Sequence, residues 1–303
     1  MRISNPALAE ARTTLSGRFA VFAELIKLRL TLFVLLTTVV GFYMHHQGPS
    51  NYTLLLHVLI GTGLVASGAQ ALNQFLEKEH DAKMVRTAQR PLPSGRLRPE
   101  LALLYGGAAS VIGLLYLAFG VNLLTSVLGA VTLVSYVLVY TPLKRVTPLN
   151  TIVGAVPGAL PPLMGWTAVG GDIAHISLQG WSLVAILVFW QLPHFLAIAW
   201  MYREDYARAG FVMLPLGDDT GARTSQHALS YTLGLLPVSL APFVLKMTGV
   251  IYLGGALMLG LLFLWCAFEF ARHRTEQAAR RLFYCSLIYL PLLLGLMIFD
   301  KRG

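Results

Sequence analysis

Charged residues are scarce in this chain of 303 residues. Asp, Glu, Lys and Arg together make up 12% of it, about half of the share that is usual for soluble domains. Apolar residues make up 56%, and the mean hydropathy is +0.65. So few charges could not cover the surface of a soluble protein, and the composition therefore indicates a membrane protein.

Several familiar chemical signatures are also missing. The sequence has two cysteines and no CxxC pair, so it gives no sign of a zinc or dithiol site. It contains no Walker A loop, HExxH, GxGxxG or serine-triad motif, which argues against ATP hydrolysis, zinc proteolysis and dinucleotide chemistry. The net charge is +9, but no basic stripe with interleaved aromatic residues accompanies it, so nucleic acid is not an expected partner.

The apolar residues fall into long runs. A stretch of roughly 20 apolar residues crosses the hydrocarbon of a bilayer as a helix, and nine such runs are present. We therefore predict an all-α polytopic membrane protein with about nine transmembrane helices around a central cavity. The domain would cover 22–299, between a tail at 1–21 and another at 300–303. The predicted spans are 22–44, 52–75, 99–119, 122–141, 149–169, 179–201, 227–245, 249–270 and 281–299.

The basic residues predict the orientation. If the amino terminus is cytoplasmic, 20 of the 23 Lys and Arg residues lie on the cytoplasmic side, and only Lys246, Lys301 and Arg302 lie outside. The expected location is the cell inner membrane, with the carboxyl terminus outside. The two long charged loops, 76–98 and 202–226, would then face the cytoplasm, and we expect them to carry the functional site.

The first acidic group lies at the end of the second span. Asn73, Glu77 and Asp81 recur every four residues, so on a helix they share one face. Three oxygen donors on one face are typical of a Mg²⁺ site completed by phosphate oxygens. The alternative is a solvated helix end without a ligand.

Cations accompany these carboxylates. Lys83, Arg86 and Arg90 follow Asp81 within nine residues, and Lys144 ends the fourth span on the same side. Cations beside metal-binding carboxylates suit a diphosphate group. The alternative for each of them is membrane orientation alone.

A second acidic group ends the sixth span, where Arg203, Glu204 and Asp205 follow one another. Taken alone this is a solvated helix cap, but it is the second acidic group predicted on the same side. His194 lies deeper in that span among aromatic residues. It is either a satisfied core histidine or a porphyrin contact, since a neutral imidazole can bind haem iron.

The fifth span contains Pro157, Pro161 and Pro162 in the segment AVPGALPPLMGW. Such a segment predicts a broken helix, and a break inside the bilayer must face protein, substrate or water. Aromatic rings in the spans could stabilise a positive charge through their faces. The candidates are Tyr140, Trp166, Trp190 and Trp200.

The chain resembles the UbiA-type intramembrane prenyltransferases, and within them the branch of protohaem IX farnesyltransferases, or haem O synthases. The resemblance spans about 24–297. The haem branch is marked by Glu77 in place of the first motif's usual Asp. The matching segments are NQFLEKEHDAKMVRTAQRPLPSG, YTPLKR and WQLPHFLAIAWMYREDYARAGFVMLP.

This resemblance implies a Mg²⁺-dependent reaction of farnesyl diphosphate with haem B. The products would be haem O and diphosphate, and a hydroxyethylfarnesyl group would replace a vinyl group of the haem. The resemblance also implies site residues. Asn73, Glu77 and Asp81 would form the first metal motif, and Glu204 with Asp205 the second, although the Arg-Glu-Asp sequence leaves open which of the two carboxylates binds metal. The diphosphate would contact Lys83, Arg86, Arg90, Lys144 and Arg203. Apart from the resemblance, we expect haem to contact His194 and Trp200.

Three other functions remain open at this point. The enzyme could prenylate another aromatic or tetrapyrrole acceptor. The broken helix and the charges also occur in secondary transporters, and a haem-binding assembly factor without catalysis is a third alternative. Association with haem A synthase or a terminal oxidase is an expectation about partners.

Overall fold

A computed structural model describes residues 15–48, 51–170 and 177–302. Residues 1–14 of the predicted amino-terminal tail and residue 303 lie outside the described part. The described chain is nearly all helical, which confirms the predicted fold class, and nine of its helical segments are long and apolar enough to cross a membrane. The helices are α1 Leu15–Leu25, α2 Leu28–His45, α3 Tyr52–Asp81, α4 Pro99–Gly120, α5 Leu123–Val134, α6 Asn150–Ala159, α7 Pro161–Gly170, α8 Leu178–Met201, α9 Arg203–Ala209, α10 Ala222–Val244, α11 Val250–His273 and α12 Glu276–Phe299.

The first membrane span begins at Leu28 and not near residue 22 as predicted. Lys27 separates α1 from α2 in a left-handed backbone conformation with φ of 47°, a conformation that costs a residue with a Cβ roughly 1–2 kcal/mol. The apolar run from residue 22 did not reveal this break because hydropathy records composition and not backbone direction. The break turns the side chain of Lys27 into the bundle.

The second span is longer than predicted, because α3 remains helical to Asp81. Its amino terminus is capped by Asn51, whose side chain accepts a hydrogen bond from the Leu54 N–H over 3.0 Å. The helical extension carries Asn73, Glu77 and Asp81, and all three are buried. The predicted common face therefore points into protein and not into solvent.

The fifth span is broken, as its prolines predict. Helix α6 ends at Ala159 and α7 starts at Pro161. Glycines hold α7 against α2: a Cβ at Gly165 would lie 2.0 Å from the Thr38 carbonyl oxygen, and a Cβ at Gly41 would lie 1.8 Å from that of Pro162. This close approach of backbones is typical of helix contacts within membranes.

The fourth span contains a local irregularity that the sequence did not predict. After α5 the chain forms a π-helix over Ser135–Tyr140 and a last α-helical turn over Thr141–Leu143. The Thr141 hydroxyl donates to the Tyr136 carbonyl oxygen over 2.9 Å. π-Helical turns inside α-helices occur frequently at functional sites.

The largest core cluster joins α8 with α10, α11 and α12. Its fully buried side chains include Leu196, Tyr252, Phe263, Phe270 and Tyr289. Many apolar side chains on the outer faces of the spans are exposed, for example Phe119 at 88% and Phe299 at 76%. Such exposure is expected of surfaces that contact lipid.

Candidate active site

A cavity of about 290 Å³ lies between the broken fifth span, α3, α5 and α8. A larger surface groove of about 450 Å³, lined mostly by apolar side chains of α1 and α4, contains none of the predicted site residues. The cavity between the spans has a charged end and a mostly apolar remainder. Its charged end is lined by Lys27, Glu77, Asp81, Arg86, Arg90 and Lys144.

Two carboxylates of α3 form the anionic part of the charged end. Glu77 is 3% exposed and Asp81 2% exposed. The Lys144 ammonium donates to Glu77 Oε1 over 2.7 Å, and Arg90 Nη1 donates to Asp81 Oδ2 over 2.7 Å. Buried carboxylates need such partners because desolvation is costly. Each also has a second oxygen, Glu77 Oε2 and Asp81 Oδ1, that accepts no hydrogen bond from a described residue.

Lys144 is held over the ring of Tyr140, with 4.5 Å between Nζ and the ring centroid. Burial, the largest single effect, lowers the pKa of Lys144, but the adjacent Glu77 carboxylate together with Tyr140 and Tyr136 outweighs burial and holds this pKa above its usual range. The ammonium is therefore charged at every physiological pH. It can neutralise an anion that enters the cavity.

Lys27 lines the cavity, whereas the sequence predicted only that it is one of the basic residues on the cytoplasmic side. Its Nζ donates to Asn73 Oδ1 over 2.9 Å, and Asn73 Nδ2 donates to the Thr141 hydroxyl over 3.0 Å. Burial, with a smaller contribution from the Arg90 guanidinium, holds the pKa of Lys27 well below its usual range. A lysine is an unremarkable residue at the end of a first span, so no local signal in the sequence distinguished Lys27 from its neighbour Arg29.

The two acidic groups meet at the segment between Asp81 and Arg90. The Asp81 carbonyl oxygen accepts from the Thr87 hydroxyl over 2.8 Å. From the other side, Asp205 Oδ2 accepts from the backbone N–H of Arg86 over 3.4 Å, and Asp205 Oδ1 accepts from Arg208. Asp205 is buried and thus holds the segment that carries Arg86 and Arg90.

Other predicted residues lie away from the described cavity lining. Glu204 and Lys83 are exposed. Arg203 stacks on Trp200, with 4.6 Å from its guanidinium carbon to the ring centroid, and donates to the Trp200 carbonyl oxygen. The described cavity lining includes none of these four side chains.

His194 forms a core contact and is not part of the described cavity lining. Its Nδ1 is 2.7 Å from the Ser286 hydroxyl oxygen, and its ring packs between Trp190 and Phe283. Trp190 donates through its indole N–H to the Ser286 carbonyl oxygen over 2.8 Å. Among the candidate aromatic residues, Tyr140 lines the cavity, whereas Trp166, Trp190 and Trp200 do not.

The apolar part of the cavity extends from the charged end along the broken fifth span. Its lining includes Leu30, Val34, Ala66, Ala69, Gly154, Pro157, Gly158, Pro161, Phe195 and Ile198. A cavity of this kind suits an amphiphile with an anionic head and a hydrocarbon tail. Of the described residues, no group of three or more His, Cys, Asp or Glu side chains is arranged to hold a metal by itself, so a metal here would need phosphate oxygens as further ligands.

These features define a polytopic membrane protein with a buried, cation-rich site that opens into an apolar cavity. Residues 34–290 match the UbiA prenyltransferase family, and the chain belongs to this family. It is 48% identical over 291 residues to the protoheme IX farnesyltransferase of Solibacter usitatus, covering 93% of this chain and 99% of that protein. It is 39% identical to the protein of the same name from Koribacter versatilis, with 97% of each chain covered.

Solved structures confirm the fold. A digeranylgeranylglyceryl phosphate synthase superimposes with a TM-score of 0.77 at 17% identity, over 93% of this chain and 98% of the other. A UbiA homolog from Archaeoglobus fulgidus bound to GPP and Mg²⁺ superimposes with a TM-score of 0.70 at 14% identity, over 91% and 99% of the two chains.

Proposed function

We propose that this protein transfers the farnesyl group of farnesyl diphosphate to a vinyl group of haem B, with addition of water, giving haem O and diphosphate. The observation that carries the proposal is the continuity between a buried cluster of cations and carboxylates and an apolar cavity. This cavity lies in a chain 48% identical to a protoheme IX farnesyltransferase. Both substrates are apolar molecules with anionic groups, which suits a site inside the bilayer.

The charged end is the proposed diphosphate site. Lys144, Arg90 and Arg86 line it together, and Lys27 adds a buried amine whose hydrogen-bond partner, among the described residues, is the neutral amide of Asn73. A diphosphate group would supply the anionic partner that Lys27 lacks. Lys83 and Arg203 were predicted in the same role, and they would reach the diphosphate only after their side chains reorient.

The donors at this end fit Mg²⁺. Glu77 and Asp81 are hard oxygen donors, and the free oxygen of each is available for the ion. Asn73 and Asp205 would complete the predicted set by exchanging a present hydrogen bond for the metal, and Glu204 remains the alternative carboxylate from the second group. When bound, Mg²⁺ would neutralise charge that develops on the departing diphosphate.

The protein's own residues would promote the departure of the leaving group. Lys144 and Arg90 would stabilise negative charge that develops on the bridging oxygen as the allylic carbon to oxygen bond lengthens. The face of the Tyr140 ring lies beside this site and would stabilise the allylic cation. The apolar lining would hold the farnesyl chain and exclude bulk water from the cation until the vinyl group attacks.

The orientation of the protein is part of the proposal. By the positive-inside rule the charged end of the cavity faces the cytoplasm. The water-soluble diphosphate headgroup of farnesyl diphosphate would enter the site from that side. The proposed location is the bacterial inner membrane. The proposed partners in that membrane are haem A synthase or a terminal oxidase.

Purified protein incubated with farnesyl diphosphate, Mg²⁺ and haem B tests the function. The expected product is a porphyrin heavier than haem B by one farnesyl group and one hydroxyl. A parallel incubation with 4-hydroxybenzoate tests the alternative acceptor. Prenylation of the aromatic acid without prenylation of haem would replace the proposed acceptor, and uptake of farnesyl diphosphate into liposomes without turnover would favour a transporter.

A further inference from the structure

Two amide side chains, Gln70 and Gln191, belong to the described cavity lining, and Gln70 Oε1 already accepts a hydrogen bond from the Tyr136 hydroxyl over 3.0 Å. Gln191 lies on α8 on the same face as Phe195 and Ile198, and all three line the cavity. It is 4% exposed. A buried amide is costly unless its polar atoms are hydrogen-bonded, so its presence beside a hydrocarbon-binding surface calls for a partner.

The surroundings of Gln191 fix its orientation. Its Nε2 donates to the Leu187 carbonyl oxygen over 3.1 Å and more weakly to that of Ala155 over 3.4 Å. Because two carbonyl oxygens face this end of the amide, the NH₂ group must lie there and the Oε1 at the other end. Oε1 accepts no hydrogen bond from a described residue.

Gly158 makes room for that oxygen. A Cβ at Gly158 would lie 2.0 Å from Gln191 Oε1, so any larger residue would displace the amide. Gly158 stands just before the break between α6 and α7 and lines the same cavity. The break in the fifth span therefore forms a slot that holds a single hydrogen-bond acceptor.

The chemistry of the reactants indicates what this acceptor binds. In the proposed reaction, on which this inference rests, the farnesyl chain and the vinyl edge of the porphyrin are hydrocarbon and cannot donate a hydrogen bond. Water is the reactant that can. We propose that Gln191 is a water-binding catalytic residue, which holds through Oε1 the water molecule that adds to the prenylated acceptor.

The electron pairs balance in this scheme. The bond from the allylic carbon to oxygen breaks and its pair leaves with diphosphate. The vinyl π pair forms the new carbon–carbon bond and leaves a cation on the vinyl carbon next to the pyrrole ring. A water held by a hydrogen bond to Gln191 Oε1 directs a lone pair at that carbon, forms the carbon–oxygen bond, and passes its proton to the released diphosphate.

Product analysis of Gln191→Leu tests the assignment. Without the bound water, the cation should lose a proton and give an alkene, which is lighter than haem O by one water. We expect the ratio of hydroxylated to dehydrated product to fall about tenfold or more, while release of diphosphate from farnesyl diphosphate continues. Gly158→Ala should shift the ratio in the same direction, because its methyl group would displace Oε1.

Gln179→Leu on the same helix is the matched control. Gln179 donates to the Leu245 carbonyl oxygen outside the cavity, so its product ratio should equal that of the wild type. The inference would be overturned if the product ratio were unchanged in both Gln191→Leu and Gly158→Ala. It would also be overturned if Gln191→Leu lost diphosphate release, the hydroxylated product and the dehydrated product to the same extent. If the wild type forms no farnesylated porphyrin at all, the proposed function fails before Gln191 is tested.

Discussion

Lys144 donates a hydrogen bond to Glu77 over 2.7 Å, and its ammonium lies 4.5 Å from the centre of the Tyr140 ring. Side chains 67 residues apart in sequence thus form a buried ion pair beside an aromatic face. The pair lies where the charged end of the cavity meets its apolar part.

Replacing Lys144 by Met should lower farnesyl transfer about 100-fold or more, the usual effect of removing one group that stabilises charge in a transition state. Steady-state turnover of the purified variant measures it. Arg145→Met is the matched control, because Arg145 is exposed and donates to the Leu76 carbonyl oxygen. The role of Lys144 would be refuted by a variant as active as Arg145→Met.

Lys27→Gly should separate stability from function. Glycine adopts the left-handed conformation of this position without penalty, so the variant should gain about 1 kcal/mol of backbone free energy. It also loses the ammonium, and the KM for farnesyl diphosphate should rise about tenfold. Thermal unfolding in detergent and steady-state kinetics measure the two effects, with the exposed neighbour Arg29→Met as the control. An unchanged KM would place Lys27 outside the diphosphate site.

The ring of Tyr140, and not its hydroxyl, should matter for turnover. Tyr140→Phe should keep most of the activity, because it preserves the ring face near Lys144 and the cation. Tyr140→Leu should lose about tenfold, as expected for a cation–π contact worth roughly 1–2 kcal/mol. Turnover and the amount of intact folded protein are measured for both variants. Equal activity of the two would exclude a role for the ring.

Removing divalent metal should abolish turnover. Treatment with EDTA should stop the release of diphosphate, and added Mg²⁺ should restore it, because Glu77 and Asp81 leave oxygens available for a metal that bridges to phosphate. Glu77→Gln should need a higher Mg²⁺ concentration for half-maximal activity. Glu79→Gln is the control, because Glu79 lies two residues further along the same helix and is exposed, and it should need no more Mg²⁺ than the wild type. Full turnover in EDTA would contradict a metal-dependent mechanism.

Asp218 should make the stability depend on pH. Its Oδ2 accepts from the Thr224 N–H over 2.7 Å. Burial raises the pKa of Asp218, but hydrogen bonds from Thr224 and from the N–H groups of Arg223 and Ala222 outweigh it and lower that pKa. A lowered pKa means that the stabilisation is complete above the ordinary pKa of an aspartate and is lost as the pH falls through the lowered value.

Thermal unfolding of Asp218→Asn between about pH 3 and 7 checks this. We expect a loss of up to about 1 kcal/mol near neutral pH, because the amide keeps an acceptor oxygen but loses the negative charge beside the first turn of α10, and we expect a smaller difference from the wild type at the acid end. Asp219→Asn is the control, because Asp219 is exposed. A difference that stays constant over the whole pH range would show that the charge of Asp218 has no part in the effect.

The sequence predicted the positions of some site residues better than those of others. The spacing of Asn73, Glu77 and Asp81 was sufficient to place them on one face, since a helix fixes the angle between residues four apart. The same pattern could not show which face was buried. For cations the sequence was less informative, because Lys27, Lys83 and Arg203 all satisfy the positive-inside rule, yet of the three only Lys27 lines the described cavity.

The sequence could not predict the π-helix or the slot that Gly158 leaves for Gln191. An almost wholly apolar span has no polar periodicity, so nothing in it marks the change of helical pitch at Ser135–Tyr140. The slot depends on the distance between Gly158 and Gln191, which belong to different spans.

The sequence by itself determined the number of long apolar helices in the described residues and the break in the fifth span, because hydropathy and proline act locally along the chain. Only the tertiary structure decided which charges face one another. Contacts such as that between Lys144 and Glu77 depend on how helices pack, and packing in a membrane is set by the fit of small residues between neighbouring helices, which no single stretch of sequence records.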